Sequence, residues 1–409
     1  MKKISSIIYL IIVISLLAFL GLHSILHTQA QVSIMENRNL KVNQDFEGTS
    51  FIKKTFQDTL EDLLSDQFFI RNNIVTLKKK MDQYVNSLFV DPNIRDYKLT
   101  LISEANRYRI GDSNYLMYGL MKEDEEIKEK ILDRVDQINN LQEVYPNIDV
   151  YVYRPIQAHE LNIFDEYNDV VSYGVQYNQL IKDNLEVSSA FFEIQSLDDY
   201  KDNFYASDHH WNYAGSYEGY LDIHELLNLE DESLIPNEIV TLDDPFYGTH
   251  ANFTGRIFGG DQFSVYTFDY KPFQAFKNED EPCDYHYPNN FVKRKLSEDE
   301  EYYYSEAYDL CGGMCRLTTN DESKENILVV GVSYMGPVSS LIAQHFNNSY
   351  FLTPTGYYQE NGKIFNYKEF LDNHEIDKIL FMYTIENYFY EDEWGKIYRN
   401  FDIILEEGK

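Results

Sequence analysis

The segment 207–220 combines residue types that acid–base catalysis uses. Asp208 is followed by two adjacent histidines, His209 and His210, and Trp211 closes the cluster. A buried carboxylate beside an imidazole fixes the tautomer of the ring and stabilises the imidazolium that forms when the ring accepts a proton. The segment therefore predicts the Asp–His half of a Ser–His–Asp triad.

A hydroxyl nucleophile is predicted much later in the chain, at Ser333. The apolar run 327–330 is typical of a strand, Gly331 favours a tight turn after it, and residues 338–346 suit a helix. A serine on such a turn is exposed at the end of a strand. The start of the following helix supplies backbone N–H groups and a partial positive charge, which stabilise an oxyanion.

Four residues are further candidates for the oxyanion pocket or for substrate contacts. Tyr334 follows the serine and Trp211 follows the histidines, while Gly248 and Asn252 lie in a short polar segment. The amide of an asparagine is a common oxyanion donor. An asparagine in such a segment is also a frequent turn residue, so both interpretations stay open.

Each part of this site also has a simpler interpretation. A serine in a glycine-containing turn is usually a turn residue, and Asp beside two histidines can form a hydrogen-bonded structural cluster. A metal site from Asp208, His209 and His210 is the competing functional hypothesis. It is disfavoured because adjacent side chains diverge and no HExxH-type spacing accompanies them. Neither a metal nor a cofactor is expected.

The elements that must position these residues follow an α/β pattern. Residues 123–144 suit a helix, and the β-branched and aromatic run 148–154 suits a strand that Pro155 ends. Three more short apolar runs alternate with segments of helical pattern: 327–331, 350–352 and 378–383. We expect a mostly parallel sheet with helices on both faces. No repeat of fixed period is evident, which disfavours a solenoid or propeller.

Residues 1–27 are predicted to form an uncleaved membrane anchor. Lys2 and Lys3 precede an uncharged run over residues 4–22, which at about 1.5 Å per residue spans a hydrocarbon core. Basic residues on the N-terminal side place the rest of the chain outside the cytoplasm. A cleaved signal peptide is the alternative, but the run exceeds the usual apolar region of about 7–15 residues. The expected location is the cell membrane, with a single pass.

The exported part divides into two regions. Residues 28–100 are predicted to form a helical, membrane-proximal segment, and residues 101–409 one α/β domain. Residues 277–306 combine charge runs with little periodic apolar content, which indicates an acidic insertion or exposed loop.

Composition excludes several classes of protein. The chain has 68 acidic and 35 basic residues and a net charge of −33, so it repels phosphate backbones and no nucleic-acid partner is expected. Three cysteines are too few for a disulfide scaffold, although Cys311 and Cys315 are spaced to close a short loop. The 35 tyrosines supply rings that can fill a core or stack on sugars.

The segment 208–211 resembles the signature of the DHHW family of bacterial envelope proteins, with Asn212 and Gly215 after it. The segments 36–40 and 66–71 and the Ser-Tyr pair at 333–334 fall in the same order as in that family. The family is in turn similar to the SGNH-hydrolase-like alginate O-acetyltransferases. In those enzymes a D-x-H-W segment and a later serine before an aromatic residue form the triad.

The resemblance implies the fold and the roles of the matching residues. Asp208, His210 and Ser333 take the three triad positions, and His209 is the variable position. Val332 stands where many relatives have aspartate. The order Asp, His, Ser reverses that of most SGNH hydrolases, so the resemblance implies a circularly permuted three-layer α/β/α domain.

The predicted activity is extracytoplasmic O-acetyl transfer to hydroxyls of a cell-envelope polysaccharide or exopolysaccharide. Ser333 attacks an acetyl donor with His210 as base, and a sugar hydroxyl then takes the acetyl group. The resemblance implies a membrane-bound acyltransferase partner that delivers acetyl groups across the membrane. A carbohydrate acetyl esterase with the same triad and a non-catalytic polysaccharide-binding or assembly protein are the alternatives.

Overall fold

The computed structural model describes residues 2–26, 32–33, 38–42, 54–68, 71–89, 99–103, 106–111, 113–163, 171–256, 260–293, 304–308 and 310–390. Its α-helices in chain order are α1 (Lys2–Leu26), α2 (Thr55–Asp66), α3 (Arg71–Phe89), α4 (Glu125–Val144), α5 (Gly174–Asn184), α6 (Leu197–Asn203), α7 (Tyr213–Leu226), α8 (Thr249–Phe253), α9 (Pro288–Phe291), α10 (Tyr304–Ala307), α11 (Gly336–Ile342), α12 (Pro354–Asn361), α13 (Tyr367–Asn373) and α14 (Glu386–Phe389).

The strands in chain order are β1 (Val32–Ser33), β2 (Arg38–Asn39), β3 (Leu99–Ser103), β4 (Arg107–Ile110), β5 (Leu116–Tyr118), β6 (Asp149–Arg154), β7 (Ser188–Phe191), β8 (Glu238–Phe246), β9 (Asp261–Thr267), β10 (Gln274–Lys277), β11 (Glu281–Pro282), β12 (Met314–Thr318), β13 (Ile327–Gly331), β14 (Asn348–Leu352) and β15 (Lys378–Met382). Short 3₁₀ helices cover Ala158–Glu160, Cys311–Gly313, Ser333–Met335 and Ala343–His345.

The described part of the N-terminal region contains three helices and the short antiparallel pair β1–β2. α1 precedes α2 and α3, and these two helices lie in the segment 28–100 that was expected to be helical. Across the part of the chain whose side chains are described, no helix is both long enough and apolar enough to cross a membrane. The anchor over residues 1–27 and the domain boundaries therefore stay predictions.

Eight strands form the central sheet in the order β11-β10-β12-β14-β13-β15-β6-β7. The five strands from β14 to β7 run parallel, which confirms the parallel sheet predicted from the apolar runs. The other three strands add an antiparallel edge that the sequence analysis did not predict. The sheet is therefore mixed, with a parallel centre.

The central strands β13 and β15 are buried on both faces, which explains why their sequences are largely apolar runs rather than alternating ones. Ile327 and Val329 of β13 pack in one hydrophobic cluster with residues of α7 and α11. Leu328 and Val330 pack in a second cluster with residues of α4, α5 and α13. Helices thus cover both faces of the sheet, as the α/β prediction requires.

A smaller unit lies beside the sheet. β8 and β9 pair antiparallel, and α8 lies between them in the chain. This β8–α8–β9 unit carries a third hydrophobic cluster, which includes Phe246, Phe263 and Tyr205. Because Tyr205 precedes the Asp-His-His-Trp segment, this cluster ties that segment to the unit.

The described part of the predicted acidic insertion is integrated into the fold. The insertion contains the last residue of β10 together with β11 and α9. Tyr304, near its C-terminal end, is buried. Cys311 and Cys315 form a disulfide, and the sulfur of Cys283 lies 3.4 Å from that of Cys311. The short disulfide loop that the spacing of these two cysteines allows is therefore observed.

Candidate active site

Ser333 lies at the carboxyl end of β13, in the order of strand, turn and helix that the sequence predicted. Val332 is extended, and a 3₁₀ turn over Ser333–Met335 leads directly into α11. Gly331 allows β15 to approach closely at this point, because a Cβ there would lie 2.5 Å from the carbonyl oxygen of Met382. The serine is thereby held at the edge of the parallel sheet.

Asp208, His210 and Ser333 meet in a hydrogen-bonded chain. Oδ1 of Asp208 lies 2.6 Å from Nδ1 of His210, and Nε2 of His210 lies 2.6 Å from Oγ of Ser333. A carboxylate only accepts hydrogen bonds, so the ring proton sits on Nδ1 and Nε2 accepts from the serine hydroxyl. This is the arrangement in which an imidazole can remove the proton of an alcohol.

The carboxylate of Asp208 is held by backbone donors as well as by the ring. The backbone N–H of His210 donates to Oδ1 at 3.0 Å, and that of Thr249 donates to Oδ2 at 2.6 Å. Burial raises the pKa of Asp208, but attraction to the rings of His210 and His209 lowers this pKa by a larger amount. The net pKa lies well below the ordinary range, so the group is ionised at neutral pH.

A second aspartate, Asp261 at the start of β9, fixes the loop that carries the triad residues. Its carboxylate accepts the backbone N–H groups of Ala206 and Ser207, both at 2.8 Å, and the hydroxyl of Ser207 at 2.5 Å. The loop is also closed by a bridge between Phe204 and Trp211. The sequence analysis missed Asp261, because no local motif marks its long-range contact.

Aromatic rings enclose the imidazole of His210. The ring of Tyr304 stacks on it with centroids 4.0 Å apart, and that of Tyr334 lies 5.2 Å away. The Tyr334 hydroxyl donates to the backbone oxygen of His209 at 2.5 Å. Trp211 is fully buried against Tyr334, so it packs beneath the triad.

His209 points toward the cavity rather than into the triad. Its Nδ1 lies 3.2 Å from Oδ1 of Asp208 but forms no hydrogen bond with good geometry. Burial, and then the neighbouring His210, lower the pKa of His209 to about 3, so its ring is neutral at neutral pH.

The expectation that the side chains of Asp208, His209 and His210 diverge is wrong. Their candidate ligand atoms lie within 4.8 Å of one another because the loop folds back on itself. The nitrogen atoms of His210 are nevertheless engaged by Asp208 and Ser333, which leaves this ring bound within the triad.

The two candidates from the segment 247–252 lie on the far side of Asp208. The N–H of Gly248 donates to Oγ of Ser207 at 3.0 Å, and a Cβ on Gly248 would lie 2.3 Å from Cβ of Asp208. The amide of Asn252 donates to the carbonyl of Tyr247 at 3.1 Å. The segment thus supports the carboxylate, and neither residue lines the cavity at Ser333.

Ser333 opens into a cavity of about 830 Å³. Several of its lining residues follow the carboxyl ends of parallel strands. Ligands bind at these ends in open α/β sheets. They are Gln157 and His159 after β6, Ser333 after β13, Thr355 after β14, and Thr384 and Glu386 after β15. Of these, the sequence analysis identified only the serine. The other residues could have been found from their position directly after predicted strands.

No protein-family model and no curated protein matches this sequence. Solved structures do match. A DHHW family protein from Eubacterium siraeum superposes with a TM-score of 0.51 at 16% identity, over 73% of this chain and 97% of that one. PatB1 of Bacillus cereus gives a TM-score of 0.51 at 15% identity, over 69% of this chain and 97% of that one.

The O-acetyltransferase domain of Pseudomonas putida AlgJ also matches, at 8% identity and a TM-score of 0.38, over 70% of this chain and 97% of that one. The resemblance to the DHHW family, read from the segment 208–211, is thus confirmed by a solved member of that family. At their identities of 16% and 15%, the likeness to the DHHW family protein and to PatB1 establishes the fold alone.

Proposed function

We propose that the chain is an extracytoplasmic O-acetyltransferase that uses Ser333, His210 and Asp208 to move acetyl groups onto hydroxyls of a cell-envelope polysaccharide or exopolysaccharide. The observation that carries the proposal is the 2.6 Å contact between Oγ of Ser333 and Nε2 of His210, in a ring oriented by Asp208. A buried, oriented base beside a serine that opens into a cavity is the arrangement that acyl transfer requires.

In the first half-reaction, Oγ of Ser333 bonds to the carbonyl carbon of an acetyl donor while its proton passes to Nε2 of His210. The negative charge of Asp208 stabilises the imidazolium. Backbone N–H groups at the start of the helical turn have no intrahelical acceptor, so they are available to the developing oxyanion. The bond to the leaving group then breaks, the leaving group takes the proton from His210, and acetyl-Ser333 remains.

In the second half-reaction, a sugar hydroxyl enters the cavity and gives its proton to Nε2 of His210. Its oxygen bonds to the acetyl carbon, and Ser333 leaves and recovers the proton. Acetyl donors are made in the cytoplasm, so an outward-facing enzyme needs a membrane-bound acyltransferase as its supplier. A membrane anchor over residues 1–27 would keep the domain close to that partner.

The structural neighbours support this proposal. One PatB1 structure, with a TM-score of 0.51 at 15% identity, contains a sulfonyl adduct. Sulfonyl fluorides modify activated nucleophiles, so we expect this chain to accept such a group at Ser333. The AlgJ domain is described as an O-acetyltransferase.

The nucleophile is tested by treating the full-length protein with phenylmethylsulfonyl fluoride and mapping the adduct by mass spectrometry. We expect one adduct on the peptide that contains Ser333. Ser333→Ala should abolish it, and the exposed control Ser323→Ala should leave it unchanged. An adduct that survives in Ser333→Ala would refute the proposed nucleophile.

Transfer is tested with p-nitrophenyl acetate as donor. We expect a burst of p-nitrophenolate as acetyl-Ser333 forms, followed by acetylated oligosaccharide when an acceptor is added. An ester product on sugar supports the transferase. Turnover that yields only acetate with every acceptor would identify the alternative, a carbohydrate acetyl esterase. Turnover that is unchanged in Ser333→Ala would contradict both enzyme hypotheses.

A further inference from the structure

A second carboxylate–imidazole pair lines the cavity of Ser333 and takes no part in the triad. Nε2 of His159 lies 3.2 Å from Oε1 of Glu386. The ring of Tyr118 packs edge-on against His159, and Tyr118 is itself part of the cavity lining. The pair therefore belongs to the space that a substrate of Ser333 occupies.

The half of the pair that follows β6 is rigidly built. Arg154 and Glu160 form a fully buried ion pair with Nη2 and Oε2 2.5 Å apart, and Arg154 also donates to the carbonyl of Tyr383 at 3.1 Å. The second oxygen of Glu160 accepts the backbone N–H of Gln157 at 2.9 Å. This network fixes the turn that carries His159.

The half that follows β15 is equally fixed. Oδ1 of Asn387 accepts both the backbone N–H of Thr384, at 2.9 Å, and its hydroxyl, at 3.0 Å. This closed turn places Glu386 at the first residue of α14. Both halves of the pair are thus in place before any ligand enters, which reduces the ordering cost of binding.

Two buried oxygen atoms in the lining have no hydrogen-bond partner in the described part of the chain: Oε1 of Gln157 and Oε2 of Glu386. The backbone N–H of Glu160 bonds to the carbonyl of Gln157, at 3.0 Å, rather than to its side-chain oxygen. Buried polar atoms are nearly always hydrogen-bonded. Both oxygens only accept, so the group that completes them must be a donor.

We infer that Glu386 and Gln157 form the acceptor subsite, and that it selects a neutral sugar whose hydroxyls donate to these two oxygens, over a uronic acid. This inference rests on the proposed function and specifies its acceptor. The carboxylate of a uronate carries no proton to donate at neutral pH, and it would face Glu386 with like charge. A neutral pyranose presents several O–H donors at once.

The charge of the lining agrees with this choice. Glu123, Asp124 and Glu386 outnumber the exposed Lys122 in the lining. Burial raises the pKa of Glu386, but its hydrogen bond with His159 lowers it to about 2, so the group is charged at neutral pH.

The mouth of the cavity adds an aromatic surface. Phe389 and Tyr390 complete the lining, and Tyr390 is 48% exposed. Flat rings at the rim and acceptor oxygens inside match the apolar faces and peripheral hydroxyls of a sugar.

The test separates the two half-reactions of the full-length protein. The burst of p-nitrophenolate from p-nitrophenyl acetate reports acetyl-enzyme formation without an acceptor. Transfer is then measured to neutral tetrasaccharides of glucose, galactose and N-acetylglucosamine, and to a tetramer of glucuronic acid. We expect kcat/KM for the best neutral acceptor to exceed that for the uronate by about tenfold or more, the factor that one charge-assisted hydrogen bond supplies.

Glu386→Gln keeps the shape of the side chain and removes its charge. We expect KM for the neutral acceptor to rise about tenfold and the preference over the uronate to shrink by a similar factor, both larger changes than any change in the burst. Gln157→Met should raise the same KM without changing the preference for charge. Glu375→Gln, an exposed acid outside the cavity lining, makes the same charge change and should alter neither.

The two proposals fail in different ways. If wild type gave no burst, or if Ser333→Ala retained it, the proposed function would fail. If the burst were normal but the uronate were the better acceptor, or if Glu386→Gln left both KM and the preference unchanged, the acceptor subsite alone would be overturned. A purely structural role of Glu386 would reduce the burst as well and would not change the preference between acceptors.

Discussion

The three donors around Asp208 determine what its replacement by asparagine should do. Oδ1 accepts two N–H groups, both from His210, whereas Oδ2 accepts one, from Thr249. In Asp208→Asn the new NH₂ group must replace either Oδ1, which faces two N–H donors, or Oδ2, which faces one. Replacing Oδ2 places the NH₂ group against the single N–H of Thr249, which is the less unfavourable arrangement. We therefore expect Oδ1 to keep His210 in its productive tautomer. The variant loses the negative charge but keeps the orientation of the ring.

The size of the effect follows from that charge. An opposite charge at this distance favours a charged group by about 1.4–4 kcal/mol, which the imidazolium of the transition state would lose. The rate of the p-nitrophenolate burst should then fall by about 10- to 1000-fold. The buried N–H of Thr249 loses its acceptor, so the free energy of unfolding should fall by about 1–3 kcal/mol.

Stopped-flow measurement of the burst and urea unfolding test both expectations, with the exposed Asp202→Asn as control. A burst within about threefold of wild type would refute the role of the charge. A loss as large as that of Ser333→Ala would show that the amide turns the other way and holds His210 in the wrong tautomer.

Three further perturbations test other parts of the structure. Asp261→Asn turns an NH₂ group towards the backbone N–H of Ala206, the single donor at Oδ1, because Oδ2 accepts two donors from Ser207. We expect the free energy of unfolding to fall by about 1.5–3 kcal/mol and the burst to slow. An unchanged burst would argue against a positioning role. Gly219→Ala places a Cβ 2.4 Å from the ring of Trp211. Overpacking should therefore lower the free energy of unfolding, measured in urea, by about 1–3 kcal/mol. An unchanged free energy of unfolding would show that the ring can shift. Burial raises the pKa of Glu386, but its imidazole partner lowers it from 4.5 to about 2. The stability contributed by this ionised group is complete above about pH 4.5 and is lost as the pH falls towards 2. Glu386→Gln should therefore have a lower free energy of unfolding than wild type at pH 7. A difference between the two proteins that did not narrow at pH 3 would contradict this.

The centre of the fold could be predicted from the sequence because its signal is local. β13 and β15 are buried along their whole length, and β6 and β14 are buried along most of theirs, so each contains an apolar run that needs no partner to be recognised. The strand β10, which lies between β11 and β12, could not be predicted in the same way. It is short and half-exposed, and its pairing with β12 joins it to a segment that lies far along the chain.

The triad shows the same division between local and long-range information. The tetrapeptide and the strand–turn–helix pattern mark Asp208, the two adjacent histidines and Ser333 in the local sequence, and the resemblance to the DHHW family selects His210. His159 and Glu386 carry no motif, and they meet only because β6 and β15 are neighbours in the sheet. The segment of Gly248 and Asn252 was expected near an oxyanion, but it supports the opposite side of the carboxylate.

The two halves of the hydrogen-bonded triad belong to different structural units, and this determines which packing the proposed acyl transfer depends on. Ser333 is fixed by the sheet and α11, whereas Asp208 and His210 lie on a loop held by Asp261 and Thr249 of the β8–α8–β9 unit. The 2.6 Å contact between Nε2 of His210 and Oγ of Ser333 is therefore set by how this unit packs against the sheet. The rings of Tyr304 and Tyr334 fill that junction, because both lie against His210. A rigid aromatic junction is what such a division of the site requires, since a displacement of about 1 Å between base and nucleophile is enough to reduce the rate about a hundredfold.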